Sequence, residues 1–193
     1  PHRLPPALQD LRDEHPGQLA SFAWKAGSWP PLPAVTRAII AELPIPPTQL
    51  DESDDPAADL RALSPERALA ESQAVVAGTL AAIQLVTQAR PARVLIQASW
   101  LGVTGEKIRG GGYALGMAYA AHLMLARTAA LDLQRGGIAT VVGNAGRYRL
   151  DMSGPGFHAD IDDVARGLVA VLDACDPEAE PEFRDWRGTI RRW

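Results

Sequence analysis

Three hydroxyl-bearing side chains, Ser99, Tyr113 and Tyr119, are the residues of this chain best suited to moving a proton. A tyrosine serves as a general acid or base near neutral pH when a neighbouring cation favours its phenolate. On a helix that cation belongs about one turn away. Four residues after Tyr113, Tyr119 and Tyr148 stand Met117, Leu123 and Met152, and the two lysines, Lys25 and Lys107, lie elsewhere. Trp100, Asn144, Arg147, Tyr148 and Asp151 are the other residues expected to line one cleft. A Tyr, a Ser and an Arg around one cavity would suit polarising a carbonyl, as in dehydration or cyclisation. They read also as polar residues left at a cleft mouth, and Ser99 as a serine that satisfies backbone groups where a strand ends.

The remaining reactive side chains point to structure. His122 occupies an apolar helix position and reads as a core or interface histidine, and His158, in a glycine-containing loop, as solvated. Cys175 follows the apolar stretch Val169–Ala174, the setting of a buried structural thiol. A single cysteine excludes an internal disulfide and a multi-cysteine metal site. The sequence holds no GxSxG elbow, HExxH pair, phosphate-binding P-loop or paired carboxylates at ligand spacing. Hydrolase and metalloenzyme readings have no support, and no metal is expected.

What positions these residues is an alternation of short apolar runs and longer helical stretches. The 193 residues suit one domain, and 47% hydrophobic with 22% charged residues is an ordinary globular balance. A net charge of −4 argues against a nucleic-acid or anionic-membrane surface. Apolar runs read as too short for a membrane span, no signal peptide is visible, and a cytoplasmic location is the expectation. The chain opens on Pro1, which suggests upstream residues. Residues 7–14 suggest a short helix and Leu19–Trp24 a buried strand. A Pro-rich, acidic excursion over 28–65 carries one short helix near Val35–Leu43. Ser64-Pro65-Glu66 starts a helix that runs to Ala89. Val94–Ala98 is the next strand. Gly110–Gly112 introduce a helix over 113–134, Gly136-Gly137 stop it, and Ile138–Val142 is a further strand. A helix over Ile161–Asp173 and a terminal segment Phe183–Trp193 complete the chain. Continuous apolar strands alternating with helices predict a parallel sheet covered on both faces.

In this order the segments resemble the second half of the short-chain dehydrogenase/reductase family. LGMAYAAHLMLARTAALDL (Leu115–Leu133) is similar to its active-site helix YxxSKAALxxLxRxLAxDL, with Ala120, Ala121, Arg127, Ala130, Asp132 and Leu133 in register. GGIATVVGNAG resembles GIRVNxVxPG, FRDWRGTIRRW resembles FxDwdGxxxpW, LASFAWKAG resembles LVxNNAG, and VLIQASWLG resembles IVNISSxxG. The resemblance implies an α/β fold: a partial, Rossmann-like doubly wound parallel sheet of about four strands, the family's first three missing, with the 28–65 insertion inside one domain. It leaves Leu19–Trp24 as an open sheet edge.

The resemblance also implies what is lost. The family's TGxxxGxG turn, which lets the backbone approach a dinucleotide pyrophosphate, occurs nowhere in the chain. In the ungapped register Leu115 takes the family's catalytic Tyr place and Tyr119 its Lys place. A two-residue slip would instead align Tyr113, with Met117 at Lys. The relay Asn corresponds to about Val75, and only Ser99 of the tetrad remains. Trp24-Lys25 replace an Asn pair, Ala145 replaces the loop Pro, and Leu150 stands near the usual Thr. The expectation is a cofactor-free, non-redox binding or structural subunit. A repurposed non-redox enzyme on a small carbonyl-bearing metabolite is the alternative. A further one is an oxidoreductase using NAD(P) only if a partner or a missing half completes it. The family pairs its two long helices in dimers. The apolar helices 66–89 and 113–134 therefore suggest a homodimer, or a heteromer with a homologue of the family, able to hold a small-molecule ligand.

Overall fold

The structure is a computed structural model that describes Asp13 and residues 36–41, 64–107, 110–146 and 159–193. The chain groups into two compact units, 1–32 and 33–193, and every strand and helix described here belongs to the second. Five strands form one sheet in chain order: β1 (Arg37–Ile40), β2 (Arg93–Gln97), β3 (Ala139–Asn144), β4 (Phe183–Asp185) and β5 (Ile190–Arg191). The first four run parallel, and β5 turns back antiparallel on β4. The helices are α1 (Pro65–Ala89), α2 (Tyr113–Arg135) and α3 (Ile161–Asp173).

Alternation along the strands divides the core into two layers. Val94 and Ile96 of β2, Ala98 just after it and Val142 of β3 pack with Ile83 of α1 and with Leu123, Ala126, Ala130 and Leu133 of α2. Leu95 and Val141 turn the other way, onto Val164, Leu168, Val171 and Leu172 of α3. The sheet is therefore covered on both faces, the Rossmann-like α/β architecture the residue pattern implies.

Helix boundaries follow local chemistry. The amide of Ala68 donates to Ser64 O at 3.2 Å, behind Pro65 in the first helical turn. At the far end of α1, Arg90 adopts φ +47° before Pro91. Gly136 and Gly137 (φ +81°) close α2, and Asp160 caps α3 by accepting from Asp162 N at 2.9 Å.

Two expectations are corrected. Residues 37–40 form a strand, where the sequence suggested a helix over Val35–Leu43. Ile40 is buried against the core and the run pairs in parallel register with Arg93–Ile96, so tertiary pairing overrides local propensity. β1 thus holds the place beside β2 expected for Leu19–Trp24, a segment outside the described residues along with most of the Pro-rich excursion. Second, Ala68–Ala89 is long and apolar enough to cross a bilayer by length and composition, with a mean hydropathy of 1.4. A quarter of that stretch is buried within the protein, Val75, Thr79 and Ile83 included.

Candidate functional site

The carboxyl ends of β2, β3 and β4 carry the residues of interest. Ser99 follows β2 and caps the short 3-10 turn Trp100–Gly102, its Oγ accepting from Leu101 N at 3.2 Å. That turn is clamped onto α2. A Cβ added at Gly102 would lie 2.3 Å from the carbonyl oxygen of Tyr119, so only glycine allows the approach. Ser99 therefore does the backbone work expected of it at a strand end.

The tyrosines separate. Tyr113 opens α2 and lines a cavity of about 430 Å3 with Leu101, Lys107, Gly112 and Met117. Lys107 donates from Nζ to Gly111 O at 2.8 Å, which brings a cation to that cavity from outside the helix. Spacing along the chain gave no signal of it. Tyr119 lies one to two turns further on, packed with Leu115 against the buried Val75 and Ala118. Val75, Leu115 and Tyr119 are the three residues at the Asn, Tyr and Lys places of the ungapped register, and together they form one small apolar cluster. Next along α2, His122 is fully buried and its Nε2 lies 2.9 Å from Thr79 Oγ1 on α1. Burial lowers its pKa to about 4, so the ring is neutral and structural, as its position suggested. Cys175, after α3, is half-buried, and burial raises its thiol pKa, which disfavours the nucleophilic thiolate.

A second cavity, of about 390 Å3, lies at the ends of β3 and β4, lined by Trp100, Glu106, Asn144, Gly146, Asp185, Trp186, Arg187 and Arg191. Trp100 and Asn144 were expected to line one cleft, and here they do. Ser99, Tyr113 and Tyr119 line this cavity no more than each other's. Arg147, Tyr148 and Asp151, and with them His158 and Leu150, lie outside the described residues. The C-terminal residues were missed as cavity lining, although the FRDWRG resemblance marked the stretch. They arrive because Trp186 N donates to Asn144 O at 2.9 Å and extends the β3–β4 pairing. Glu106 and Arg191 pair across the rim at 3.0 Å. The tail docks as anticipated. Trp193 stacks on Phe183 with centroids 5.6 Å apart, beneath Arg127 at 4.4 Å.

No protein-family model matches the chain. Over 101 residues it is 35% identical to C-signal of Myxococcus xanthus, covering 52% of this chain and 61% of that protein. Over 124 residues it is 28% identical to 1-hydroxy-2-glutathionyl-2-methyl-3-butene dehydrogenase of Rhodococcus sp. (strain AD45), covering 60% and 55%. The chain thus spans less than two thirds of the length of either relative. Among solved structures, an NADP complex of a carbonyl reductase from Pseudomonas aeruginosa PAO1 superposes with a TM-score of 0.68 at 17% identity. The match covers 97% of this chain and 83% of that one. The carbonyl reductase Sniffer of D. melanogaster matches at 0.57 and 20% identity, over 70% and 61%. The chain thus resembles these reductases in fold and the two relatives in sequence over part of its length.

The solved dehydrogenase/reductase neighbour holds NADP, so the described residues of this chain can be tested for a fit to a nicotinamide. They do not match. Tyr119 stands at the Lys place, and Ala145 at the loop Pro is itself buried. The adjacent Gly143 serves packing, because a Cβ there would meet the Leu95 side chain at 2.9 Å.

Proposed function

We propose that this short-chain dehydrogenase/reductase-like chain is a non-redox, cofactor-free binding subunit that pairs with a second copy or with a homologue of the family. One observation carries the reading: Val75, Leu115 and Tyr119 pack together at the positions the resemblance assigns to Asn, Tyr and Lys. An apolar contact there neither relays a proton nor lowers a phenol pKa. Pairing through α1 and α2 is supported by large apolar side chains left open on them, including Leu69 at 68% and Met124 at 64% exposure. The relatives pull in different directions, one named as a signal and one as a dehydrogenase. Since each is matched over only part of its length, neither name carries over whole.

The test is a titration with NADPH and with NADH, followed by cofactor fluorescence. Sedimentation of the same samples reads the assembly state. The expected result is no saturable binding up to roughly millimolar cofactor, the upper range of ordinary substrate affinities. Saturable binding at micromolar cofactor would overturn the reading.

A second reading, a repurposed enzyme acting on a carbonyl compound without redox, is favoured by Tyr113 and Lys107 sharing one cavity. Activity on a carbonyl-bearing metabolite that Tyr113→Phe abolishes would move the assignment to it.

A further inference from the structure

We propose that the cavity at the ends of β3 and β4 binds a small organic carboxylate, held by the Asn144 amide at its floor and the Arg187 guanidinium at its rim. The proposal rests on the reading of the chain as a cofactor-free binding protein and gives that reading a ligand class.

The argument is an account of donors and acceptors. Asn144 is 3% exposed. Its Oδ1 accepts from Gly146 N, which fixes which end of the amide is which. Its Nδ2 is buried and meets no acceptor among the described residues. A buried donor left unpaired costs about 1–3 kcal/mol, so such a group in a native fold asks for a partner. Of the four carboxylate oxygens that share the cavity, all but Asp185 Oδ2 are engaged. Both oxygens of Glu106 accept from Arg191 Nη2, at 3.0 and 3.2 Å. Asp185 Oδ1 accepts from the amides of Arg187 and Thr189, at 3.0 and 2.9 Å. Arg187 lies over the Trp186 ring at 4.7 Å and pairs with no carboxylate among the described residues. Apart from Asp185 Oδ2, the unused side-chain capacity is donor capacity, one part neutral and buried and one part cationic. An acceptor bearing negative charge satisfies both, and a carboxylate matches the planar guanidinium fork. Trp100 and Trp186 supply apolar wall for a small organic body.

Acetate, pyruvate and benzoate, with benzamide as the neutral counterpart of benzoate, are titrated calorimetrically into the full chain and two variants. Asn144→Asp keeps the oxygen that receives Gly146 N–H and replaces the free donor with negative charge. Arg187→Gln alters an exposed side chain and leaves the fold intact even if Asn144→Asp does not. At least one carboxylate should bind saturably, with benzamide, Asn144→Asp and Arg187→Gln each weaker by roughly tenfold to a hundredfold. No binding by any carboxylate, equal binding of benzoate and benzamide, or unchanged affinity in Arg187→Gln overturns the proposal. The two readings fail separately. NADPH binding that leaves carboxylate affinity intact overturns only the cofactor-free reading, and loss of carboxylate binding without NADPH binding overturns only this one.

Discussion

The two sides of the cleft have diverged. On the α1–α2 side, the corner where the family resemblance expects Asn, Tyr and Lys is filled by Val75, Leu115 and Tyr119 in contact with one another. On the β3–β4 side, a buried amide and a guanidinium with no carboxylate partner among the described residues line a cavity. One side contributes to folding what it no longer offers to chemistry, because apolar contacts there stabilise the α1–α2 pair. The other keeps a buried polar group without a partner among the described residues, a cost that a ligand would offset. The difference teaches that the sheet builds the opening above its strand ends whatever packs into the corner beside it.

The largest expected effect tests the sealed corner. Val75 is 2% exposed, so Val75→Asn should lower unfolding free energy by roughly 2–4 kcal/mol, from lost packing and an amide buried among apolar neighbours. Urea denaturation measures it. A loss under about 1 kcal/mol would mean that the corner still accommodates a polar relay residue, and the contrast between the two sides would collapse.

The buried histidine of the same helix pair gives the next effect. Its folded pKa, about 4, lies below the ordinary value of 6.5. The unfolded chain therefore takes up a proton first as pH falls, and stability drops from about pH 6.5 down toward pH 4. By pH 5 the loss from His122 amounts to about 2 kcal/mol. Comparing urea midpoints at pH 7.5 and pH 5 for the native chain and His122→Gln isolates it. The variant should lose this part of the pH dependence. Identical pH profiles would mean that the ring opens to solvent and that the α1–α2 side is not the closed region described.

Much of the framework was legible in the sequence because it rests on local signals. Ser64-Pro65 and Gly136-Gly137 mark helix ends through side chain and backbone freedom, and the runs of β2 and β3 are apolar because both faces of the sheet are covered. The failures share a different cause. β1 is four residues amid a Pro-rich stretch, and only its pairing with Arg93–Ile96 makes it a strand. Lys107 reaches the cavity of Tyr113 by a loop contact that no helical spacing encodes. The second cavity joins Asn144 to Arg187 and Arg191, more than 40 residues away in sequence, through the β3–β4 pairing that the Trp186 N to Asn144 O bond extends. Contacts made across the sheet have no periodicity to read. The resemblance supplied the order of the segments but not which of them close the cavity.

The smallest effect bears on whether the two sides are coupled. Glu106 ends the 3-10 turn Thr104–Glu106 and Arg191 lies in the C-terminal strand, so their ion pair ties that loop to the far side of the cavity rim. Both side chains are about a third exposed, and solvent-screened pairs of this kind contribute roughly 1 kcal/mol or less. Glu106→Gln should therefore change the urea midpoint little. The same substitution removes a negative charge from the cavity and frees the Arg191 fork, so benzoate should bind a few times more tightly, a gain of under about 1 kcal/mol. A small stability change with tighter binding would make the bridge a device that holds Arg191 away from the ligand. A loss of several kcal/mol would make it the tie between the two sides, and their divergence would then have to be read as that of one cooperative unit.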